Sequence, residues 1–139
     1  MQAEELKKRT KDFALRIIKL VEYLPRTKTA DVIGRQLLRS ATSVGANYRA
    51  ACRARSRADF VSKICVVEEE ADESAYWLEH AQRAQSPPLK AGLASEYERG
   101  FSTRVEESLH VMAGFFNYLS KQRSRMIMTL QACWERPTN

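Results

Sequence analysis

QLLRSATSVGANYRAACRARSRADF, residues 36–60, is the stretch whose reading decides the fold. Its first half has helical character, but its inner positions are small: Ser40, Ala41, Thr42, Ser43, Val44, Gly45 and Ala46 follow one another. Small side chains let a second helix approach closely, and that contact offsets the roughly 1 kcal/mol that a glycine costs inside a helix relative to alanine. The second half gathers Arg49, Arg53, Arg55 and Arg57 within nine residues. It closes on Ser56-Arg57-Ala58-Asp59, a helix start in which a serine cap is answered by an acid three residues on. Such a segment speaks of helix assembly and charge rather than of catalysis.

Outward from this stretch, apolar residues recur at helical spacing. The first helix is expected from about Glu4 to Leu24, with Phe13, Ile17, Leu20 and Leu24 on one face, Ile18 and Val21 widening it, and Pro25 ending it. The second should run from Ala30 to Arg53, capped by Thr29, on a stripe of Ile33, Leu37, Ala41, Val44, Tyr48 and Ala51. The third should start at Ser56, follow Phe60, Ile64, Val67, Ala71, Ser74 or Ala75, and Leu78, and stop before Gln85-Ser86-Pro87-Pro88. The fourth, from Leu93 to Arg123, carries Leu93, Tyr97, Phe101, Val105, Leu109, Met112, Phe116 and Leu119. No strand alternation competes. The expectation is an all-α protein, an up-down-up-down antiparallel four-helix bundle over residues 1–125. The tail 126–139, with its apolar Met126–Leu130, either continues the fourth helix or docks on a neighbour.

Composition excludes several classes. With 139 residues the chain is one domain, and 44% hydrophobic with 29% charged residues is ordinary for a soluble protein. No apolar run reaches the roughly 18 residues of a membrane span, and the charged N-terminus MQAEELKKRTK has no signal-peptide core. Cys52, Cys65 and Cys133 are odd in number without CxxC spacing, which suits free thiols in a reducing cytoplasm.

The spacing of residues also resembles a known family. Gln36 and Arg39, then Ser43, Val44 and Asn47, then Arg55, Ser56, Asp59 and Phe60 fit three successive elements of bacterial four-helix-bundle proteins related to those encoded by intervening sequences in 23S ribosomal RNA genes. Glu70 and Glu73 fall where that family carries small polar and acidic residues. The chain departs from it after Asn47, where Arg49-Ala50-Ala51 replaces the usual Ala-Glu-Gly. The role of that family glutamate therefore does not carry over. The resemblance implies a homo-oligomer, with pentameric rings known among such proteins, and it assigns no activity.

Charge is unevenly placed. Residues 31–63 hold seven basic side chains against Asp31 and Asp59, whereas residues 68–79 hold Glu68, Glu69, Glu70, Asp72, Glu73 and Glu79 with no base among them. Three readings compete: solvated faces with salt bridges inside the bundle, head-to-tail self-assembly through opposite patches, and a phosphate-binding footprint for RNA or DNA. The candidate nucleic-acid or subunit-contact residues are Arg39, Asn47, Arg49, Arg53, Arg55, Arg57, Glu69, Glu70 and Glu73. At least some of the arginines are expected to pair with Glu69, Glu70 or Glu73, and Asn47 to bond a neighbouring helix or Arg39. A metal- or ligand-binding enzyme is the alternative, because Glu107 and His110 form a Glu-x-x-His. A di-iron bundle needs a second such set, and His80, the other histidine, has Trp77 three residues before it. Nothing supplies a base for a cysteine nucleophile, and no Gly-rich phosphate loop is present. The reading is a cytoplasmic, non-enzymatic, self-assembling bundle with no cofactor and no small-molecule substrate.

Overall fold

The computed structural model describes residues 3–84 and 94–134, with side chains described for 3–84, 99–121, 123 and 124. Four helices and no strand make up the described residues: α1 (Ala3–Val21), α2 (Lys28–Ala51), α3 (Arg57–Arg83) and α4 (Ala94–Trp134). Each helix touches its two neighbours around a ring, α2 against α3 most extensively and α1 against α4 least. No helix among the described residues is long and apolar enough to cross a membrane.

On α1 the buried residues are Leu6, Thr10, Phe13, Ile17 and Leu20, alternating steps of four and three. Ile18, expected to widen this stripe, is exposed instead, because it lies on the far side of that alternation. The second helix begins earlier than expected. Thr27, not Thr29, has the extended backbone of an N-cap, and its hydroxyl accepts from the Ala30 amide at 3.1 Å. The bond from the Thr27 amide to the Pro25 carbonyl, 2.8 Å, closes a tight turn that places the cap there. All six stripe residues of α2, from Ile33 to Ala51, are buried.

The small face of α2 does meet its neighbours closely. The Ser40 and Ser74 hydroxyls lie 3.0 Å apart across the α2–α3 seam, both fully buried. On the α1 side, Gly45 faces Thr10, and a β-carbon there would sit 3.6 Å from the Thr10 hydroxyl, an ordinary contact. The tighter glycine is one the periodicity passed over. At Gly34 a β-carbon would come within 3.0 Å of Val21 and 3.2 Å of Leu24.

The α3 start agrees with its reading. Ser56 Oγ accepts from the Asp59 amide at 3.1 Å, while the Asp59 carboxylate answers by accepting from the Arg55 amide at 2.9 Å, one residue before the cap. On α4, Phe101, Val105, Ser108, Met112, Phe115 and Leu119 are buried. Phe115 replaces the expected Phe116 because steps of three and of four both fit between Met112 and Leu119. The shorter one brings Phe115 edge-on to Tyr48 with centroids 6.2 Å apart, and Phe116 is left 42% exposed. The expected roles of Leu93, of the Tyr97 side chain, of the 85–88 stop and of the Met126–Leu130 side chains lie outside the described residues, although the α4 backbone is helical through that last stretch.

Two substitutions at Gly45 check this packing. Gly45→Ala should raise stability by about 0.5–1 kcal/mol, since the β-carbon has room and the helix gains propensity. Gly45→Leu should lower it by about 1–3 kcal/mol through overpacking against Thr10. Chemical denaturation of both variants reads the sign reversal.

Candidate interaction surfaces

Past Cys52, the α2 C-cap, the chain turns through Arg53, Ala54 and Arg55 to Ser56. The amides of Cys52, Arg53 and Ala54 bond back to Tyr48, Ala50 and Ala51 at 3.0 Å, so the turn is well satisfied. Asp59, the acid within the turn's own sequence, is occupied. Its carboxylate accepts from Lys63 Nζ and from the Arg55 amide, and these bonds hold it below the usual carboxylate range. Arg49, Arg53, Arg55 and Arg57 are exposed and form no ion pair among the described residues. The expected pairing of these arginines with Glu69, Glu70 or Glu73 within the chain therefore does not occur. At 1.5 Å per residue, Glu69 lies about 18 Å along α3 from Arg57, beyond side-chain reach.

Arg39 takes that acidic group instead. Its guanidinium bonds the Glu73 carboxylate, lies 3.6 Å from Glu70, and has its Nε on Gln36 Oε1 at 3.3 Å. Trp77 Nε1 donates to the same Glu73 oxygen at 3.0 Å. The Arg39 and Trp77 donors hold Glu73 below the usual carboxylate range. Glu70 moves the other way: its burial outweighs the attraction of Arg39, and one of its oxygens is buried with no hydrogen-bond partner. Glu69 is exposed. Asn47 bonds neither a neighbouring helix nor Arg39. Its amide donates to the Ser43 carbonyl at 3.0 Å, one turn back on its own helix.

The residue most clearly missed is Glu68. It is 95% buried, and one oxygen accepts from Arg123 of α4 at 2.6 Å while the other has no partner. Its spacing, four after Ile64 and three before Ala71, puts it on the inner face of α3. That signal was available but hidden within a run of surface acids. His110 is exposed, and Glu107 pairs with Arg16 at 3.5 Å. Among the described residues no group of three or more histidine, cysteine, aspartate or glutamate side chains is placed to hold a metal.

The pattern matched by the arginine turn and the Arg39 cluster is that of a known family: the profile described as 23S rRNA-intervening sequence protein matches residues 3–88. The chain belongs to that family. A solved member-like structure, a protein of unknown function from the S23 ribosomal protein family of Bacteroides thetaiotaomicron, is 32% identical to it. That alignment covers 84% of this chain and 99% of the other, with a TM-score of 0.59. No curated protein matches the chain at a significant level. Within the matched residues, Gln36, Arg39, Glu70 and Glu73 form one cluster across the α2–α3 seam, whereas Arg55, Ser56 and Asp59 build the turn.

The two glutamates should respond oppositely to neutralisation. Glu73 has a lowered folded-state pKa, so its contribution is present above the unfolded carboxylate pKa and is lost as pH falls through the folded value. Glu70 has a raised one, so its protonated form is favoured on folding and its ionisation at neutral pH opposes the fold. Glu73→Gln should lower the melting temperature at pH 7, and Glu70→Gln should leave it unchanged or raise it. The gap should shrink as pH falls through the carboxylate range, which thermal unfolding between pH 7 and acid measures.

Proposed function

We propose that this chain is a non-enzymatic, self-assembling four-helix scaffold that binds nucleic acid, RNA or DNA, through the arginine turn between α2 and α3. The observation that carries the reading is that the Arg49, Arg53, Arg55 and Arg57 guanidiniums form no ion pair among the described residues, while Asp59 is engaged by Lys63, Glu68 by Arg123, and Glu70 and Glu73 by Arg39. Four guanidiniums in water beside the N-terminus of a 27-residue helix make a local positive field suited to phosphate. An up-down-up-down antiparallel arrangement is supported by paired contacts, Gly34 with Val21 and Gly45 with Thr10. A cytoplasmic setting suits the free thiols of Cys52 and Cys65.

Self-assembly is supported by a separate observation. A groove of about 610 Å³ between α3 and α4 is floored by Ala71, Ala75, Leu109 and Met112 and edged by the exposed Phe116. An apolar groove with an unburied aromatic fits a second copy of the chain. The family resemblance implies a ring of five.

Two measurements test these parts. In a salt titration with RNA, Arg53→Ala/Arg57→Ala should weaken binding by a similar factor for every sequence and flatten the salt slope by about two units. Absence of any RNA or DNA binding at about 50 mM salt removes the reading. Loss of oligomer mass in the same variant, with no nucleic-acid binding to lose, would instead assign the turn to the acidic face of a neighbouring copy. Light scattering should give a mass near five times 15.9 kDa, reduced by Phe116→Lys. A monomer at micromolar concentration ends the assembly proposal.

A further inference from the structure

Directly beneath the arginine turn lies a pocket of about 470 Å³, formed where α2 ends, α3 begins, and α1 and α4 pass alongside. Its volume falls within the range of small-molecule sites, and its walls are aromatic and apolar: Tyr48, Phe60 and Tyr118, with Leu119 beneath. Phe60 and Tyr118 are half-buried, so each keeps part of its ring open to the pocket, while Tyr48 is buried and held edge-on against Phe115. Tyr48 and the half-buried Cys52, one helical turn apart at the end of α2, add a phenol and a thiol to this largely apolar wall. At the mouth stands the exposed Arg57, with Arg53 and Arg55 on the segment that forms the rim. Rings inside and unpaired guanidiniums outside match the two parts of a nucleotide: a flat, sequence-tolerant π-surface and a phosphate.

We propose that this pocket receives one unstacked base of a single-stranded nucleic acid, stacked against Tyr118 and Phe60, with its phosphates held by the arginines of the rim. The inference rests on the nucleic-acid reading of the turn and adds strand selectivity to it. The arginines alone would neutralise phosphates of any strand. A base engaged in a duplex cannot enter the pocket, because its faces are covered by its neighbours in the stack. Single strands therefore gain a contact that duplexes lack. The positive end of the α3 dipole, at the Ser56 cap that also lines the pocket, points the same way.

The test uses fluorescence anisotropy at about 50 mM salt with two probes, a short single-stranded RNA and the duplex of the same sequence. Three proteins are compared. The native chain should bind the single strand more tightly than the duplex. Tyr118→Ala, which removes one ring, should weaken single-strand binding about tenfold, as loss of one stacked base predicts, and leave the duplex unaffected. Ala54→Trp, which fills the mouth from a half-buried position on the turn, should do the same, and melting temperatures of both variants equal to that of the native chain guard against a folding defect. Equal losses for both probes, or no loss for either, overturn the pocket while leaving the arginine turn as a nucleic-acid surface. Binding of neither probe by the native chain overturns both.

Discussion

The close seam between α2 and α3 is the constraint on which the rest depends. Its centre is the contact of Ser40 with Ser74, two hydroxyls 3.0 Å apart and wholly buried, flanked by the buried Ala41 and Ala71. Only side chains this small let the two backbones approach so nearly. Each hydroxyl also lies within bonding distance of a carbonyl of its own helix, Ser40 at 3.3 Å from Leu37 and Ser74 at 2.7 Å from Glu70, so burial leaves neither unsatisfied. One step outward, the same seam sets Arg39 against Glu70 and Glu73. At its end it turns the chain sharply enough to crowd four arginines onto one rim. The ion pair and the cationic rim are thus two consequences of a single helix–helix approach.

Charge in this molecule is allocated by reach. A helix rise of about 1.5 Å per residue separates the arginine turn from the middle of α3 by more than a side chain can span. Of the acids there, Glu70 and Glu73 meet Arg39 from the facing helix, and Glu68 meets Arg123 from α4. Glu68 is the costlier of these arrangements, being a buried carboxylate with one satisfied oxygen. A buried ion pair is weak evidence of added stability, yet removing one partner leaves an uncompensated charge. The pair joins α4 to α3, between a buried carboxylate and an arginine side chain 40% exposed.

Membership in the intervening-sequence protein family adds a fold and a motif, and the solved relative it resembles is itself of unknown function. The motif residues divide into two groups with different physical work. Gln36, Arg39, Glu70 and Glu73 hold helices together. Arg55, Ser56 and Asp59 shape the turn. Arg49-Ala50-Ala51 places a base and no acid at the edge of the turn. That adds to the positive charge of the turn.

Helix number, the stripe of α2, the Ser56 start of α3 and the unevenness of charge were all legible in the sequence, because each follows from local spacing and local hydrogen bonding. The 3.6-residue period fixes which residues of one helix share a face, and a cap needs only its own first turn. What the tertiary structure alone decided was partnership. The sequence places six acids after seven bases but does not say which pairs can meet; the packing gives Glu70 and Glu73 to Arg39 and Glu68 to Arg123, and leaves the turn arginines without an ion pair among the described residues. Periodicity likewise permits Phe115 or Phe116, and only the position of Tyr48 selects between them. Gly34 became the tight contact and Gly45 the roomy one because Val21 at the end of α1 and Leu24 in the turn after it pack against Gly34, and that meeting depends on how two separate helices lie together, which no local pattern records.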